Sequence, residues 1–227
     1  MSNSILTLND VSRHFGSGES RVDALKKTQV EVHAGELVAL IGPSGSGKST
    51  LLSIAGALLR PSEGNVHLGG TDISSLKGSS RTRLRLEKIG FIFQASNLVS
   101  YLTGSEQVQL IGKLLGLSAK ETATRADKLL EELGMDKRAG HYPEQMSGGE
   151  RQRIAIARSL MNEPSLILAD EPTASLDSQR GQQVVELLAN EVHRRNAAAI
   201  LVTHDERLLD KVDRVLRIAD GKVSEEA

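Results

Sequence analysis

The chain has 227 residues, enough to bury the core of one large domain. Its 28 Lys and Arg residues balance 29 Asp and Glu residues, so no basic field favours nucleic acid as a partner. With no cysteine, and with no apolar run near the ~20 residues of a membrane span, the sequence excludes disulfides, cysteine-ligated metals and a transmembrane helix and favours a cytoplasmic protein.

The first part of the chain is predicted to contain mostly strands. Apolar and polar residues alternate in ILTLNDVSRHF and VDALKKTQVEVHA, with GSGES as a turn between them. A buried strand, LVALIG, leads into a glycine-rich loop and the helical segment STLLSIAGALL. RPSEGNV is predicted to turn into another strand, and IGFIFQ is predicted as a strand that ends at Gln94.

From residue 95 to residue 162 the pattern is helical only. Strand and helix then alternate again in SLILAD, GQQVVELLANEVHRR, AAAILVTHD and RVLRIADGKV. This alternation predicts an α/β fold with a mainly parallel sheet. Residues 1–94 and 163–227 would form its core, and residues 95–162 an inserted helical subdomain.

The segment GPSGSGKST fits the phosphate-loop pattern G-x-x-x-x-G-K-[ST] and lies between a buried strand and a helix. Its backbone amides would cradle phosphate, Lys48 would reach the β- and γ-phosphates, and the Ser49 hydroxyl would bind Mg²⁺. The alternative is an ordinary glycine-rich turn. The predicted nucleotide-binding residues here are Gly42, Pro43, Ser44, Gly45, Ser46, Gly47, Lys48, Ser49 and Thr50.

The apolar strand in LILADE ends in two acids. Asp170, at the strand tip beside the phosphate loop, can hold Mg²⁺ through water. Glu171 can polarise an attacking water as a general base. Acids at strand ends are also common as simple turn residues, and that alternative stays open for both.

Three further residues each allow two interpretations. His204 follows a buried strand and either contacts the γ-phosphate at the carboxyl edge of the sheet or is a hydrogen-bonded structural residue. Gln94 either reaches the metal or the attacking water or simply begins a loop. Phe15, one of five aromatic residues, either stacks on a base or belongs to the core. The basic segment 77–88 is predicted to be a solvated helix face, with docking on an acidic partner as the alternative.

The stretch MSGGERQRIAIAR begins with two glycines at the start of a predicted helix. Ser147 and Glu150 have the S-x-x-E spacing of a capping box. A cap needs neither Gly148 nor Gly149, and each glycine inside a helix costs about 1 kcal/mol relative to alanine. Two glycines do leave bare amides at the positive end of a helix, where a phosphate can approach.

Together and in this order, these segments resemble the ATP-binding subunits of ABC transporters over essentially the whole chain. The resemblance implies a RecA-like P-loop NTPase core with an N-terminal antiparallel β subdomain and the inserted helical subdomain. It also implies ATP and Mg²⁺ as cofactors and ATP hydrolysis as the activity. It assigns the catalytic roles to Lys48, Gln94, Glu171 and His204, and the metal to Ser49, Gln94 and Asp170.

In this family the MSGGE segment corresponds to the signature motif. The resemblance implies that Ser147, Gly148, Gly149 and Glu150 bind the γ-phosphate of ATP held by the phosphate loop of a second protomer, so that two ATP molecules are sandwiched in a head-to-tail homodimer. Phe15 matches the adenine-stacking aromatic residue, and SLD, which ends at Asp177, matches the D-loop. The motif departs from the family pattern at Met146, where leucine is usual, and at Glu150, where glutamine is commoner.

Within the family the chain is similar to the branch that serves lipoprotein release and the export of macrolides and antimicrobial peptides, and most closely to the ATPases of bacterial haem exporters. This implies two copies of a membrane permease as partners and a peripheral location on the cytoplasmic side of the membrane. Lipoprotein or antimicrobial-compound transport is the alternative. A DNA-maintenance ATPase of the same superfamily is a different class, and it is disfavoured because no long coiled coil separates the phosphate loop from the signature.

Overall fold

The computed structural model describes residues 4–225, without the side chain of Glu19. These residues contain ten strands in two sheets and six α-helices, with short 3-10 helices among the connecting segments. The strands are β1 (Ser4–Phe15), β2 (Val22–His33), β3 (Glu36–Ile41), β4 (Glu63–Leu68), β5 (Thr71–Asp72), β6 (Ile89–Ile92), β7 (Leu166–Asp170), β8 (Ala198–Val202), β9 (Arg214–Ala219) and β10 (Lys222–Glu225). The helices are α1 (Lys48–Ala55), α2 (Gly78–Lys88), α3 (Gly104–Leu114), α4 (Ala119–Glu132), α5 (Gly148–Leu160) and α6 (Ser178–Arg195). Within the described range, no helix combines the length and apolarity needed to cross a bilayer.

The two sheets differ in strand direction. The smaller sheet is antiparallel, in the order β2-β1-β4-β5. The larger has the order β10-β9-β3-β8-β7-β6, and all of its neighbours pair in parallel except β10 with β9. The predicted α/β fold with a mainly parallel core sheet and an N-terminal antiparallel sheet is therefore confirmed.

The larger sheet is buried on both faces, as parallel sheets usually are. Successive residues of β7 show this, because side chains alternate between faces along a strand. Ile167 and Ala169 join a cluster formed with α3 to α6, whereas Leu166 and Leu168 join a second cluster formed with α1 and the smaller sheet. The strands that carry the predicted site are thus fixed from both sides.

Residues 95–162 contain helices and no strand, as predicted. Helix α3 begins with a capping box between Thr103 and Glu106. Helix α5 contacts α3 and α4, and it also contacts β6 and α6 of the core. We propose the division at residues 94/95 and 162/163 as the boundary of a helical subdomain. Residues 1–3 and 226–227 of the proposed core lie outside the described residues.

One predicted boundary was wrong, and one segment needs a finer description. The strand predicted to end at Gln94 ends at Ile92, so Gln94 lies in the following loop. The segment RVLRIADGKV forms two antiparallel strands, β9 and β10, because Asp220 and Gly221 adopt positive φ angles of 46° and 74° and form a tight two-residue turn. Asp-Gly is a favoured sequence for such a turn.

Candidate nucleotide-binding site

Four adjacent strands bring the predicted residues to one edge of the larger sheet. The order β3-β8-β7-β6 is continuous and parallel, so the carboxyl ends of these strands lie side by side. The glycine-rich loop follows β3, His204 follows β8, Asp170 ends β7 with Glu171 directly after it, and Gln94 follows β6. Ligands of open α/β sheets bind at this edge.

The loop between β3 and α1 depends on glycine at two close contacts. A Cβ atom on Gly42 would lie 2.1 Å from the Ile218 carbonyl oxygen, and one on Gly47 would lie 2.4 Å from the Ala24 carbonyl oxygen. Lys48 begins α1, and its Nζ donates hydrogen bonds of 2.7 and 2.8 Å to the carbonyl oxygens of Gly42 and Pro43. The loop is therefore closed over the lysine side chain that was predicted to reach the phosphates.

The same loop has space and donors for an anion. Gly45 has a φ angle of +78°, and a Cβ there would meet nothing within 4 Å. The Ser46 hydroxyl is buried and has no hydrogen-bond partner within the described part of the chain. Buried polar groups are normally paired, so an orphan hydroxyl beside an open glycine fits a polar ligand such as a triphosphate. Pro43, Ser44 and Gly45 are exposed, and Thr50 is half-buried in the first turn of α1.

Asp170 lies beside Ser49, which was also predicted to bind the metal. Burial and the nearby charge of Glu171 raise the pKa of Asp170, and a hydrogen bond with the Ser49 side chain and the charge of Lys48 counteract that rise. Among residues 4–225, no cluster of three or more His, Cys, Asp and Glu side chains could hold a metal. One carboxylate with a hydroxyl fits Mg²⁺, which usually completes its coordination shell with waters and substrate phosphates.

Glu171 and His204 contact each other. Glu171 has a positive φ angle of 46°, a strained conformation for a non-glycine residue. Its amide donates a 3.0 Å hydrogen bond to Val202, which fixes the backbone against β8. The Glu171 Oε1 atom lies 3.4 Å from His204 Nδ1, and both side chains line a cavity of about 130 Å³. The His204 side chain is 66% exposed, which disfavours a purely structural role.

The start of α5 has the predicted capping box. The Ser147 Oγ accepts a 3.3 Å hydrogen bond from the Glu150 amide, and Glu150 Oε2 accepts a 2.7 Å bond from the Ser147 amide. The predicted helix face is also confirmed, since Ile154, Ala157 and Met161 are buried.

The two glycines of this segment differ in the space around them. A Cβ on Gly149 would meet nothing nearer than the Arg180 Cδ at 3.8 Å, and one on Gly148 would lie 3.3 Å from a Leu176 methyl group. Gly148 is half-buried and Gly149 is buried. Among the described residues, alanine at position 149 would therefore meet no clash.

Gln94 lies close to the signature segment at the start of α5. It lines a cleft of about 410 Å³ together with Gly148, Arg151 and Ser175. The structure thus brings Gln94 close to α5, and its contact with a metal at Asp170 stays a prediction.

Side chains of the helical block hold the loop that follows Gln94, and the sequence did not predict them. Arg158 donates to the carbonyl oxygens of Ser96 and Asn97, both at 2.8 Å. The buried Gln107 donates to Val99 at 2.6 Å and accepts from its amide at 3.1 Å. No local pattern marks these residues, because each contacts backbone that is distant in sequence or belongs to an irregular loop.

Phe15 and Asp177 are placed at the surface. Phe15 ends β1, is 43% exposed and has the Arg13 guanidinium 4.6 Å from its ring centroid, so it is not a core residue. Asp177 is exposed and caps α6 by accepting a 3.0 Å hydrogen bond from the Arg180 amide. Helix capping alone accounts for Asp177, and its D-loop role stays a prediction.

The basic segment forms helix α2, which has no buried residue, as predicted for a solvated face. Beside it lies a cleft of about 400 Å³ between the core and helices α3 and α5. Leu58 and Phe93, which are 46% and 38% exposed, line it together with Arg85 and Arg158. This cleft therefore presents apolar side chains and two guanidinium groups.

Comparisons with known proteins agree with this geometry. Residues 25–174 match the family model described as ABC transporter. The chain is 48% identical over 218 residues to the protein named putative hemin import ATP-binding protein HrtA of Staphylococcus haemolyticus, with 96% of this chain and 98% of that protein covered. The equally named protein of Staphylococcus aureus strain Newman is 45% identical, with coverages of 97% and 99%.

Solved structures show the same fold. The ATP-binding cassette MJ0796, solved as a dimer in a post-hydrolysis state with ADP and Pi, has a TM-score of 0.87 and 38% identity, with 98% of this chain and 97% of that chain covered. The protein cbiO1 of Clostridium perfringens, part of the ABC transporter complex cbiONQ, has a TM-score of 0.90 and 27% identity, with coverages of 98% and 88%.

Proposed function

We infer that this chain, which belongs to the ABC transporter family and is the ATP-hydrolysing subunit of a transporter, works as a head-to-tail homodimer that drives a membrane permease for haem efflux. The observation that carries the ATPase assignment is the edge of the larger sheet, where the phosphate loop, Asp170, Glu171 and His204 lie on adjacent strands. The dimer, the permease and haem are proposals.

Binding and hydrolysis follow from the residues at that edge. We propose that the loop amides and Lys48 hold the β- and γ-phosphates of ATP, and that Phe15 stacks on the adenine. Glu171 accepts a proton from water while the water oxygen attacks the γ-phosphorus, and the bond to the bridging oxygen of ADP breaks. His204, 3.4 Å from the Glu171 carboxylate, orients it.

Mg²⁺ is proposed as the cofactor of this reaction. Ser49, Asp170 and Gln94 would hold the ion, which supplies neutralisation of phosphate charge when it is bound. Burial and the charge of Glu171 raise the pKa of Asp170 and disfavour its charged form in the free chain, and a bound cation would relieve that penalty.

The dimer is supported by the signature segment. Ser147 is exposed, and a Cβ atom on Gly149 would meet no clash among the described residues. MJ0796, which is 38% identical, is described as a dimer. We propose that Ser147, Gly148 and Gly149 bind the γ-phosphate held by the partner protomer, with Asp177 at the same interface.

We propose that two copies of a permease dock on the dimer at the cytoplasmic face of the membrane. The cleft beside α2 suits a cytoplasmic segment with apolar and acidic side chains, since it offers Leu58, Phe93, Arg85 and Arg158. Because the cleft contacts both the core and the helical block, a movement between these parts would reach the permease.

Haem is proposed as substrate and export as direction. Relatives that are 45–48% identical carry hemin in their names, together with the word import. The resemblance of the motifs to the lipoprotein-release and macrolide-export branch supports export instead. Lipoproteins, macrolides and antimicrobial peptides are the alternative substrates. A DNA-maintenance role has no support, since these relatives are transport ATP-binding proteins over nearly their full length.

A deletion strain grown across a haemin series separates these possibilities. Export predicts haemin hypersensitivity and raised intracellular haem, both corrected by the wild-type gene and not by the Glu171→Gln variant. Import predicts lower intracellular haem and no hypersensitivity. Unchanged growth and haem content would refute haem as the substrate and direct the search to lipoproteins and antimicrobial peptides.

A further inference from the structure

The acidic residue of the signature has a basic partner in the same chain. Glu150 Oε1 accepts a 2.7 Å hydrogen bond from the Nε atom of Arg138, which lies 12 residues upstream. The two side chains are 19% and 44% exposed, Glu150 being the more buried. Arg138 ends the short helix Asp136–Arg138, so it comes from the segment that precedes α5.

Both oxygens of Glu150 are engaged inside the chain. Oε2 accepts from the Ser147 amide and Oε1 from Arg138. The pKa of Glu150 is held below its usual value by the Ser147 amide, the Arg138 guanidinium and the Ser147 hydroxyl, against the effect of burial. The carboxylate is therefore charged at neutral pH and is fixed at the third position of α5.

This charge is unfavourable for the proposed partner. The positive end of a helix attracts anions, and a fixed carboxylate in its first turn satisfies part of that attraction itself. A triphosphate brought to Ser147 and Gly149 by a second protomer would meet a like charge. Arg138 offsets this charge at the Glu150 carboxylate, and no other cation contacts the carboxylate among the described residues.

Two other arginines near the start of α5, Arg151 and Arg180, have different partners. Arg151 donates to the carbonyl oxygens of Met146 and Pro143. Arg180 pairs with Asp177 at 3.4 Å. His141 Nε2 lies 3.3 Å from a terminal nitrogen of Arg138.

We propose that Arg138 is a positioning residue for the signature, which neutralises Glu150 and so permits this segment to accept the γ-phosphate of ATP held by a second copy of the chain. The inference rests on the proposed dimer. It explains how an acid is tolerated where glutamine is the commoner residue of the family.

The test is a charge-compensation cycle in the Glu171→Gln background, which is expected to keep ATP bound. Four full-length proteins are compared, with the wild-type pair, Arg138→Gln, Glu150→Gln, and both substitutions. Glutamine at position 150 keeps the capping box, because S-x-x-Q caps as S-x-x-E does. The measurement is the ATP concentration that gives half-maximal dimerisation, followed by light scattering on a sizing column.

We expect Arg138→Gln to raise that ATP concentration roughly three- to tenfold, since one uncompensated charge faces the phosphate in each site. Glu150→Gln should equal or exceed the wild-type pair, and the double variant should return to near wild type. The defect of Arg138→Gln should shrink between 50 and 500 mM NaCl, because salt screens a partly exposed charge. Binding of a fluorescent ATP analogue by monomers should not change in any variant.

A structural role for Arg138 gives a different pattern. If Arg138 only fixes the loop before α5, the double variant will be as impaired as Arg138→Gln and salt will not help. Equal dimerisation of Arg138→Gln and wild type also refutes the inference. If Arg138→Gln has a lowered melting temperature, Arg138→Lys serves as a second variant, because it keeps the charge. The ATP concentration that gives its half-maximal dimerisation should be near that of the wild type.

The same assay separates this inference from the proposed dimer. Gly149→Asp in the same background should abolish ATP-dependent dimerisation. If it does and Arg138→Gln has no effect, only the role of Arg138 is wrong. If Gly149→Asp dimerises normally, the signature does not bind the partner's ATP and the proposed function fails at that point.

Discussion

Replacing Gly149 by alanine should make the monomer slightly more stable and the ATP-bound dimer much less stable. A Cβ there would meet only the Arg180 Cδ atom at 3.8 Å, which is ordinary van der Waals contact. The isolated chain therefore gains helix propensity without a clash. In the proposed dimer, the same methyl group occupies the space through which the partner's γ-phosphate approaches the helix terminus.

The two effects have opposite signs and different sizes. Alanine is favoured over glycine by up to about 1 kcal/mol in a helix interior, and less in the first turn, so the melting temperature should rise by no more than about 4 °C. A hydrogen bond to a charged group contributes about 1.5–3 kcal/mol, and a symmetric dimer has two such sites. Losing one bond per site costs about 3 kcal/mol or more, which is over 100-fold in the dimer dissociation constant.

The assay combines thermal unfolding of the monomer without nucleotide and ATP-dependent dimerisation in the Glu171→Gln background. Gly181→Ala is the matched control, since its Cβ would lie 3.4 Å from Thr173 Cβ and the residue belongs to α6. The control should change the melting temperature by a few degrees at most and leave dimerisation intact. If Gly149→Ala dimerises as the wild type does, the phosphate does not approach Gly149 and the argument from its glycine is wrong.

Three further predictions concern acids. Glu171→Gln should lower ATP hydrolysis at least 100-fold while ATP still produces a dimer, and full turnover in a phosphate-release assay would remove Glu171 from the base role. Asp170→Asn should raise the melting temperature of the nucleotide-free chain at pH 7.5, because burial and Glu171 raise the Asp170 pKa and disfavour its ionised form. This gain in melting temperature should vanish below about pH 4, where the carboxyl group is protonated in both the folded and the unfolded chain. Mg²⁺-dependent hydrolysis by this variant should be lost at all pH values. Glu191→Gln should lower the free energy of unfolding, measured in urea, by about 1–3 kcal/mol, because Glu191 accepts 2.6 and 2.7 Å hydrogen bonds from Arg194 and Arg195. These bonds hold the pKa of Glu191 below its usual value against the effect of burial. The stability difference between the variant and the wild type should therefore shrink at low pH.

The strands and helices were predictable where the pattern was periodic. The alternation in β1 and β2, the apolar runs of β7 and β8 and the helical faces of α3 to α5 all specify their elements locally. The hairpin at Asp220 and Gly221 was missed although its turn signal is present. That signal is the Asp-Gly dipeptide, whose two residues adopt positive φ angles here.

The site was predictable as a set of strand ends, and its contacts were not. Parallel strands bring their carboxyl ends together whatever the loops contain, so Asp170, Glu171 and His204 had to lie near the phosphate loop. That Glu171 contacts His204, and that Glu150 pairs with Arg138, depends on loop backbone with no periodic signal. Arg138 itself looked like one more surface charge.

Gly149 and Asp170 share a property that explains why they mark function. Each makes the isolated chain less stable than a simple substitution would, Gly149 by lost helix propensity and Asp170 by a disfavoured charge. Nothing in the described part of the chain requires a glycine at position 149, and the hydrogen bond with Ser49 and the charge of Lys48 do not cancel the raised pKa of Asp170. Residues that lower the stability of the isolated fold are expected at sites where a bound ligand restores that stability. ATP held between two protomers should therefore relieve the destabilising effects of these two residues. The rise in melting temperature on adding ATP and Mg²⁺ should be smaller for Asp170→Asn and Gly149→Ala than for the wild type.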